Sequence, residues 1–260
     1  MPKRALIGHT GFVGANLQHQ SKFDACFNTR NSEQLAGQTF GTVVCAGAPA
    51  HKWLANREPE ADMRGLAQLA NAIDSVECDR FVLISTSDVY PVPDDADESY
   101  ACEQLPNHAY GTHRLWLEQR VRARFPNALI VRLPTLFGPG LKSNLLHDLM
   151  YDQALAAINP ASMMQWYGLS NLTHHIDIAL RHGLTLVNLF TEPLRVSRVC
   201  ALFPELARRV GQQAAVEVSY NLTTEHAELF GGAAGYVQSG AVVLSELAAY
   251  VRSQRAKAAS

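Results

Sequence analysis

No apolar run in the 260 residues reaches the roughly 18 that a membrane-crossing helix needs. The stretch before Gly8 is Met-Pro-Lys-Arg-Ala-Leu-Ile, which leaves no room for a secretory apolar segment. Both absences point to the cytoplasm, so the sequons at Asn171 and Asn221 read as chance matches. Cysteine is sparse: Cys26, Cys45, Cys78, Cys102 and Cys200 are scattered, odd in number and without a CxxC pair. That pattern excludes a disulfide framework and a structural zinc site. The thiols are expected to be reduced, some of them buried as small hydrophobes. An excess of one charge is also missing. Twenty-two basic residues against 24 acidic ones give a formal charge of −2. Nothing electrostatic then calls for nucleic acid or an anionic membrane surface. Internal repeats and low-complexity tracts are absent.

What is present is an ordinary soluble composition. The chain weighs 28.5 kDa, with 47% hydrophobic residues, 17 Gly and 12 Pro. It is neither disordered, collagen-like nor a coiled coil. Its length buries a core without staples and suits one generous domain, or a nucleotide-binding domain with an appendage. Short apolar runs alternate with amphipathic stretches. The strand candidates are Ala5–Ile7, Ala25–Phe27, Thr42–Cys45, Phe81–Ser85, Ala128–Leu133 and Leu186–Leu189. Met63, Leu66, Ala70 and Ile73 recur at helical spacing behind Pro59, and Tyr110, Arg114, Leu117 and Val121 share another helical face. Val243, Leu244, Leu247 and Val251 mark a last helix.

Strands apolar throughout, separated by helices, indicate an α/β fold: a Rossmann-type, doubly wound parallel sheet. Pro91–Pro106 carries Pro91, Pro93, Pro106 and five acidic residues, and reads as an exposed loop. The regions from about 139 to 165 and 194 to 240 break the strand–helix rhythm. The expected division is therefore a dinucleotide-binding core over 1–138 and a small substrate lobe over 139–240. The strand at 186–189 would return to the core, and a terminal helix would fill 241–260. Ligands of open α/β sheets bind at the carboxyl ends of the strands, over which the lobe is expected to lie.

The sharpest local signal is Arg4-Ala-Leu-Ile-Gly-His-Thr-Gly-Phe-Val-Gly14, a strand running straight into Gly8, Gly11 and Gly14. Its GxxGxxG spacing is one residue wider than the usual GxGxxG, but the physics is the same. Glycine lets the backbone turn tightly and approach a pyrophosphate, and the following helix offers its N-terminal N–H groups. Gly8, Thr10, Gly11, Phe12, Val13 and Gly14 are the cofactor-binding candidates of this loop, with Phe12, Val13 and Leu17 seating the helix. NAD sites usually carry Asp or Glu at the end of the second strand. Here that strand ends Phe27-Asn-Thr-Arg-Asn31, with Arg30 and no acid. A guanidinium fork suits a 2′-phosphate, which favours NADP, with NAD the alternative.

The third strand runs into Cys45-Ala-Gly-Ala48 and the fourth into Ser85-Thr-Ser-Asp-Val-Tyr-Pro91. Then follow Tyr110-Gly-Thr-His-Arg114 and Ile130-Val-Arg-Leu-Pro-Thr-Leu-Phe-Gly-Pro-Gly140. With the glycine start, this ordered set resembles the extended short-chain dehydrogenase/reductase family, or NAD-dependent epimerase/dehydratases. The resemblance covers most of residues 4–145 and is looser in the C-terminal third. The Gly8–Gly14 loop and the Asn28–Arg30 segment look most like the GDP-fucose synthase branch, which uses NADP. The chain is shorter than typical sugar-nucleotide members, so its substrate lobe looks trimmed.

The resemblance implies hydride transfer between a nicotinamide cofactor and a small-molecule substrate, a sugar nucleotide or related compound. It places Thr86 and Tyr110 at the reacting oxygen. Ala46, Gly47, Ala48, Leu133 and Pro134 fall at cofactor-contacting positions, and a homodimer through the Tyr110 helix is a habit of the family. An ordinary tyrosine titrates near pH 10, so it needs a nearby cation to act at neutral pH. The family's YxxxK is here YxxxR. Arg114 keeps the charge and can still bond the nicotinamide ribose, but arginine does not readily release a proton. His113 reads as a surface residue. Asp62 stands where the family usually has Asn.

Ser87 and Asp88 share the turn after Thr86. Asp88 could serve as acid or base, as in dehydratase branches, or cap the turn. Lys142, Asn144, Gln165 and Tyr167 fall where the family closes over substrate. Trp166 could stack on a sugar or base, and Trp53 could line the cofactor rim. His174 and His175 read as helix surface, and no metal site is expected. Arg208, Arg209, Arg252, Arg255 and Lys257 read as solvated. The Ser85–Ser87 run is no GxSxG elbow, and a methyltransferase fits Thr86 and Tyr110 poorly. The competing functional reading is a sensor or scaffold that binds the dinucleotide without chemistry, motivated by Arg114.

Overall fold

A computed structural model describes residues 2–258. The chain forms two compact units. One holds the chain up to Val92 together with Glu98–Leu133 and Ser170–Asn188. The other holds Pro93–Asp97, Pro134–Leu169 and everything from Leu189 onward. The first change of unit along the sheet strands falls after Leu133, and the terminal helix groups with the second unit. Residues 170–188 fold with the first unit, because Leu186–Asn188 completes its sheet.

In the first unit β1 (Arg4–Ile7) lies parallel between β2 (Ala25–Phe27) and β3 (Thr39–Cys45). Next come β4 (Glu77–Thr86) and β5 (Leu129–Leu133), with Leu186–Asn188 outermost. All pairings are parallel, and the order is β2-β1-β3-β4-β5 followed by Leu186–Asn188. Few residues separate β2 from β3, and they form a turn and one 3-10 turn, Ser32–Leu35. The chain then returns on the far side of β1, so the strand order reverses between β1 and β3. That reversal is where ligands of such sheets bind. Register matters as well. Leu83 of β4 pairs with Cys45, the last residue of β3, so Ile84–Thr86 continue past it.

Helix α1 (Phe12–Gln20) follows the glycine loop, and α2 (Lys52–Arg57) and α3 (Pro59–Asp74) follow β3. Helix α4 (Ala109–Arg124) lies between β4 and β5. The three-and-four spacing of α3 turns Leu66, Ala70 and Ile73 inward, and α4 contributes Leu117 and Val121. They pack on Val43, Cys45, Phe81, Leu83 and Ile130 of the sheet. The rings of Phe81 and Phe125 stack with centroids 4.7 Å apart. Behind this core Glu118 of α4 holds Arg132 of β5 through two hydrogen bonds of 3.0 and 2.7 Å, both side chains buried. Ser85 donates to the same carboxylate.

In the second unit Thr135–Phe137 pairs parallel with Trp166–Gly168, and Met163–Met164 pairs antiparallel with Leu194–Arg195. The long helix Gly240–Ala258 belongs to this unit and buries Val243, Leu247 and Val251. Two sequence expectations change. The Pro91–Pro106 segment is irregular apart from a 3-10 turn at Cys102–Gln104, yet Ala96 and Cys102 are buried within it. His175 is buried on Leu172–Arg181 rather than on the surface, and burial lowers its pKa to about 4. Among the described residues no helix is long and apolar enough to cross a membrane, and no cluster of His, Cys, Asp or Glu has metal-ligand geometry.

Candidate active site

The glycine loop is built for close approach. Gly8 has φ +87°, and a Cβ there would meet the Ala46 carbonyl oxygen at 2.5 Å. A Cβ on Gly14 would run into the Gly8 carbonyl, so α1 and the end of β1 touch backbone to backbone. Helix α1 has no side-chain cap at Gly11. Its first N–H groups and its positive dipole end are therefore left for an anion, and a dinucleotide pyrophosphate fits that cradle. Thr10 and Gly11 are exposed, and Phe12 and Val13 half-buried. Across the strand reversal Ala46, Gly47 and Ala48 follow β3, with the Ala46 amide bonded to Ile7 at 2.9 Å. Leu133 ends β5, and Pro134 comes next, in the other unit.

The turn after β2 is shaped by asparagine. The Asn31 side chain accepts from the Asn28 amide at 2.7 Å, and the Asn28 side chain accepts from the Arg30 amide at 2.8 Å. Arg30 is exposed at its tip.

Thr86 ends β4, and the start of α4, which carries Tyr110, is tied to the turn that follows it. Tyr110 sits in the first turn of α4 and is 6% exposed. Three contacts fix this first turn. Asn56 accepts from the Tyr110 amide at 2.9 Å. His108 caps the helix by accepting from the Gly111 amide through Nδ1 at 3.0 Å. Asn107 donates to the carbonyls of Asp88 and Val89. Gly111 has to be glycine here, because a Cβ would strike the Asp88 carbonyl and the Asn107 amide. Burial raises the Tyr110 pKa, and the adjacent Arg114 only partly offsets it.

Arg114 stands over the Tyr110 ring, its guanidinium carbon 4.1 Å from the centroid. Its nitrogens are otherwise turned to Asp62 of α3 at 2.7 and 2.9 Å and to the Pro49 carbonyl at 2.6 Å. Its Nε is buried without a partner. His113 is not a surface residue: its Nδ1 lies 2.8 Å from Asp62, with 12% of the side chain exposed. Burial raises the Asp62 pKa, but Arg114 and His113 outweigh it and hold the carboxyl below its ordinary value.

Asp88 does not cap the turn. Thr86 does, accepting from the Asp88 amide at 3.1 Å. The Asp88 carboxylate instead takes 2.5 Å from Lys52 Nζ on one oxygen and 3.4 Å from the Thr86 hydroxyl on the other. His108 Nε2 stands 3.8 Å off, too far for a direct hydrogen bond. Burial raises the Asp88 pKa, yet His108 and Lys52 bring it below the ordinary value. Ser87 is buried beside it.

The candidates of the second unit divide. Lys142 is exposed. Asn144 caps Leu145–Met150, accepting from the His147 amide and donating to the Leu136 carbonyl. Gln165 is 2% exposed, its amide nitrogen donating to Thr191 and Leu222 and its oxygen accepting from Leu222. Trp166 and Tyr167 are fully buried. Asn144, Gln165, Trp166 and Tyr167 thus hold the unit together. Trp53 is 62% exposed, its ring under the Arg57 guanidinium at 4.5 Å. Arg209 and Arg255 pair with Asp152 and Glu205. Sequence reasoning missed Lys52, His108, Asn56 and Asn107. No spacing ties Lys52 to Asp88, whereas an Asn-His pair just before the helix was readable as a capping signal.

These features define a dinucleotide-binding α/β fold. A profile of the NAD dependent epimerase/dehydratase family matches residues 22–172. The chain belongs to that family, and with it to the NAD(P)-dependent epimerases, dehydratases and reductases. No curated protein sequence matches at a significant level. Among solved structures the chain resembles a dTDP-glucose 4,6-dehydratase from Streptomyces venezuelae with NAD bound, at 16% identity, 98% coverage of each chain and a TM-score of 0.74. It also resembles dTDP-4-dehydrorhamnose reductase from Yersinia enterocolitica, at 16% identity, 96% and 99% coverage and a TM-score of 0.70. RMD from Pseudomonas aeruginosa, complexed with NADPH, matches at 18% identity, 90% and 93% coverage and a TM-score of 0.65.

Proposed function

We propose that the protein uses NADP(H) to oxidise or reduce a carbinol or carbonyl carbon of a nucleotide sugar, with Tyr110 moving the proton. The observation that supports this reading is the buried Tyr110 in the first turn of α4, its ring under the Arg114 guanidinium, with Thr86 at the end of β4. A hydroxyl being oxidised must lose a proton as its carbon loses hydride, and a carbonyl being reduced must gain one. Thr86 holds the substrate oxygen, and Tyr110 gives or takes its proton. Burial favours the protonated phenol, which suits Tyr110 best as the acid of a reduction. The nicotinamide dinucleotide, when bound, supplies or accepts the hydride.

The cofactor is held by Gly8, Thr10, Gly11, Phe12, Val13 and Gly14, and by Ala46, Gly47, Ala48, Leu133 and Pro134. Arg30 meets the 2′-phosphate. Ser87 and Asp88 are the substrate contacts of the first unit. Free thiols throughout the described residues accord with a cytoplasmic setting. The nucleotide-sugar substrate rests on the activities of the structural relatives.

One observation favours a second reading. Arg114 is closed off by Asp62 and Pro49, so a dinucleotide-binding protein without turnover fits the same residues. Calorimetry with NADP⁺, NADPH, NAD⁺ and NADH comes first, followed by dTDP-, UDP- and GDP-hexoses with absorbance read at the reduced-nicotinamide band. Turnover abolished by Tyr110→Phe supports the enzyme. Tight dinucleotide binding with no turnover supports the second reading, and no binding of any of the four overturns both.

A further inference from the structure

We propose that His9 reads the 2′ position of the dinucleotide beside Arg30, and that it binds a 2′-phosphate only after taking up a proton. The inference rests on reading the glycine loop as the dinucleotide site and deepens that reading. The ring is placed by backbone. Its Nδ1 lies 3.0 Å from the carbonyl oxygen of Phe27, the last residue of β2, and the Gly8 amide donates to the same oxygen at 2.7 Å. His9 leaves the loop after β1 and is thus pinned across the carboxyl end of β2. In dinucleotide folds of this kind that end holds the adenosine ribose, and an acidic residue there accepts from its 2′-hydroxyl. No acid ends β2 in this chain. The half-buried imidazole lies there instead, and the exposed Arg30 follows three residues after Phe27.

The hydrogen bond decides which atom the ring presents. A carbonyl oxygen only accepts, so Nδ1 carries the hydrogen, and the neutral ring has a bare Nε2. Nε2 has no hydrogen-bond partner among the described residues. A bare Nε2 accepts from a ribose 2′-hydroxyl, as the missing carboxylate would. A phosphate dianion has only acceptor oxygens, so it is repelled by that lone pair and bonds Nε2 once the nitrogen is protonated. Neutral His9 therefore fits the unphosphorylated dinucleotide, and charged His9 the phosphorylated one. The proton comes from water and stays on Nε2 while the phosphate is bound. No covalent bond changes.

The charged and titratable groups on the surrounding elements do not supply that anion themselves. Arg4 lies at the other end of β1, where its amide bonds Asp24 and its guanidinium bonds Ser21. Helix α1 has no acid in its first turn and His19 in its last. Cys26 of β2 takes the Gln18 amide, and Cys45 at the end of β3 is buried. Arg30 and Glu33 follow β2, both exposed. No carboxylate bonds the ring, so a bound phosphate is the anion that holds its proton.

Proton uptake tests this without substrate. Calorimetry of the full chain with NADP⁺ and with NAD⁺ at pH 7.5, in buffers of different ionisation enthalpy, counts the protons that enter with each dinucleotide. A free imidazole is charged in on the order of one molecule in ten at that pH, so NADP⁺ binding is expected to take up about half a proton or more. NAD⁺ binding should take up none. A phosphate monoester loses its second proton near pH 6, so any adjustment of the phosphate itself releases a proton and has the opposite sign. His9→Gln can still donate to the Phe27 carbonyl but cannot take the charge. It should bind NADP⁺ about tenfold more weakly, the low end for a charge-assisted contact, and without proton uptake. Its circular dichroism checks the fold, and the wild-type measurement decides by itself if the variant does not fold. NADP⁺ binding by the wild type without proton uptake overturns the inference and leaves the glycine-loop reading standing, as does equal uptake in His9→Gln. Failure of both dinucleotides to bind overturns the two together.

Discussion

Arg114 and Asp62 form a two-pronged ion pair in which both side chains are nearly sealed from solvent, at 3% and 6% exposure. The cation one turn after Tyr110 is thus neutralised by a carboxylate from the neighbouring helix. Two departures from the family pattern, at 62 and at 114, are one structural unit. An aspartate in place of asparagine demands a partner, and the arginine fork supplies it.

Removing one half of that pair leaves a buried charge alone. Arg114→Met is expected to lower stability by about 3–5 kcal/mol. The paired change Asp62→Asn with Arg114→Met should recover most of the loss, since neither charge of the pair is then stranded. A double-mutant cycle by urea denaturation reads this directly. An additive outcome would mean the two residues act independently.

Glu118 and Arg132 make the same kind of pair behind the sheet, where Ser85 also bonds the carboxylate. Glu118→Ala should cost about 3–5 kcal/mol by leaving Arg132 uncompensated. Thermal and urea unfolding test it.

Acid should weaken the first unit through Asp62 and Asp88. Both carboxyls have folded pKa values below the ordinary one. Such groups stabilise the fold fully above the unfolded value of about 4 and lose that contribution as the pH falls through the folded value. Urea midpoints measured from pH 7 down to 3 should therefore fall below about pH 4. The fall should be shallower in Asp62→Asn, and an unchanged slope would count against Asp62.

Arg30→Ala should weaken NADP⁺ binding about 10- to 100-fold, the 1.5–3 kcal/mol of a charge-assisted contact, and leave NAD⁺ binding unchanged. Calorimetry with both dinucleotides checks this. Equal losses for the two would place Arg30 away from the 2′ position.

Gly14→Ala should cut affinity for every dinucleotide about tenfold or more, because the added methyl forces the Gly8 carbonyl out of the cradle. Lowered affinity with a retained circular-dichroism spectrum is the expected result.

The apolar periodicity of the sequence carries the sheet and its helices. Val43–Cys45 and Phe81–Ile84 are runs buried on both faces, and Leu66, Ala70 and Ile73 keep a helical beat, so local pattern and tertiary burial agree. The glycine loop was equally readable, since tight turning and close backbone approach leave few alternatives to glycine. Strand lengths were less so. β4 starts at Glu77, four residues before its apolar run, because backbone pairing with β3 extends it through polar residues.

The side-chain partners within the site were not legible, because partnership depends on which distant segments the fold brings together. Asp62 and Arg114 lie 52 residues apart, and Lys52 and Asp88 lie 36 apart. Gln165 and Tyr167 look like binding groups in an irregular stretch, and tertiary packing turned them inward. The sequence by itself determined the parallel α/β sheet and the glycine turn after β1, since each follows from local geometry or short spacing, while Thr86 and Tyr110 were singled out by the family resemblance. Tertiary structure alone decided that Arg114 answers to Asp62 and that Asp88 faces Lys52, because a charge takes whichever opposite charge the packing places within reach.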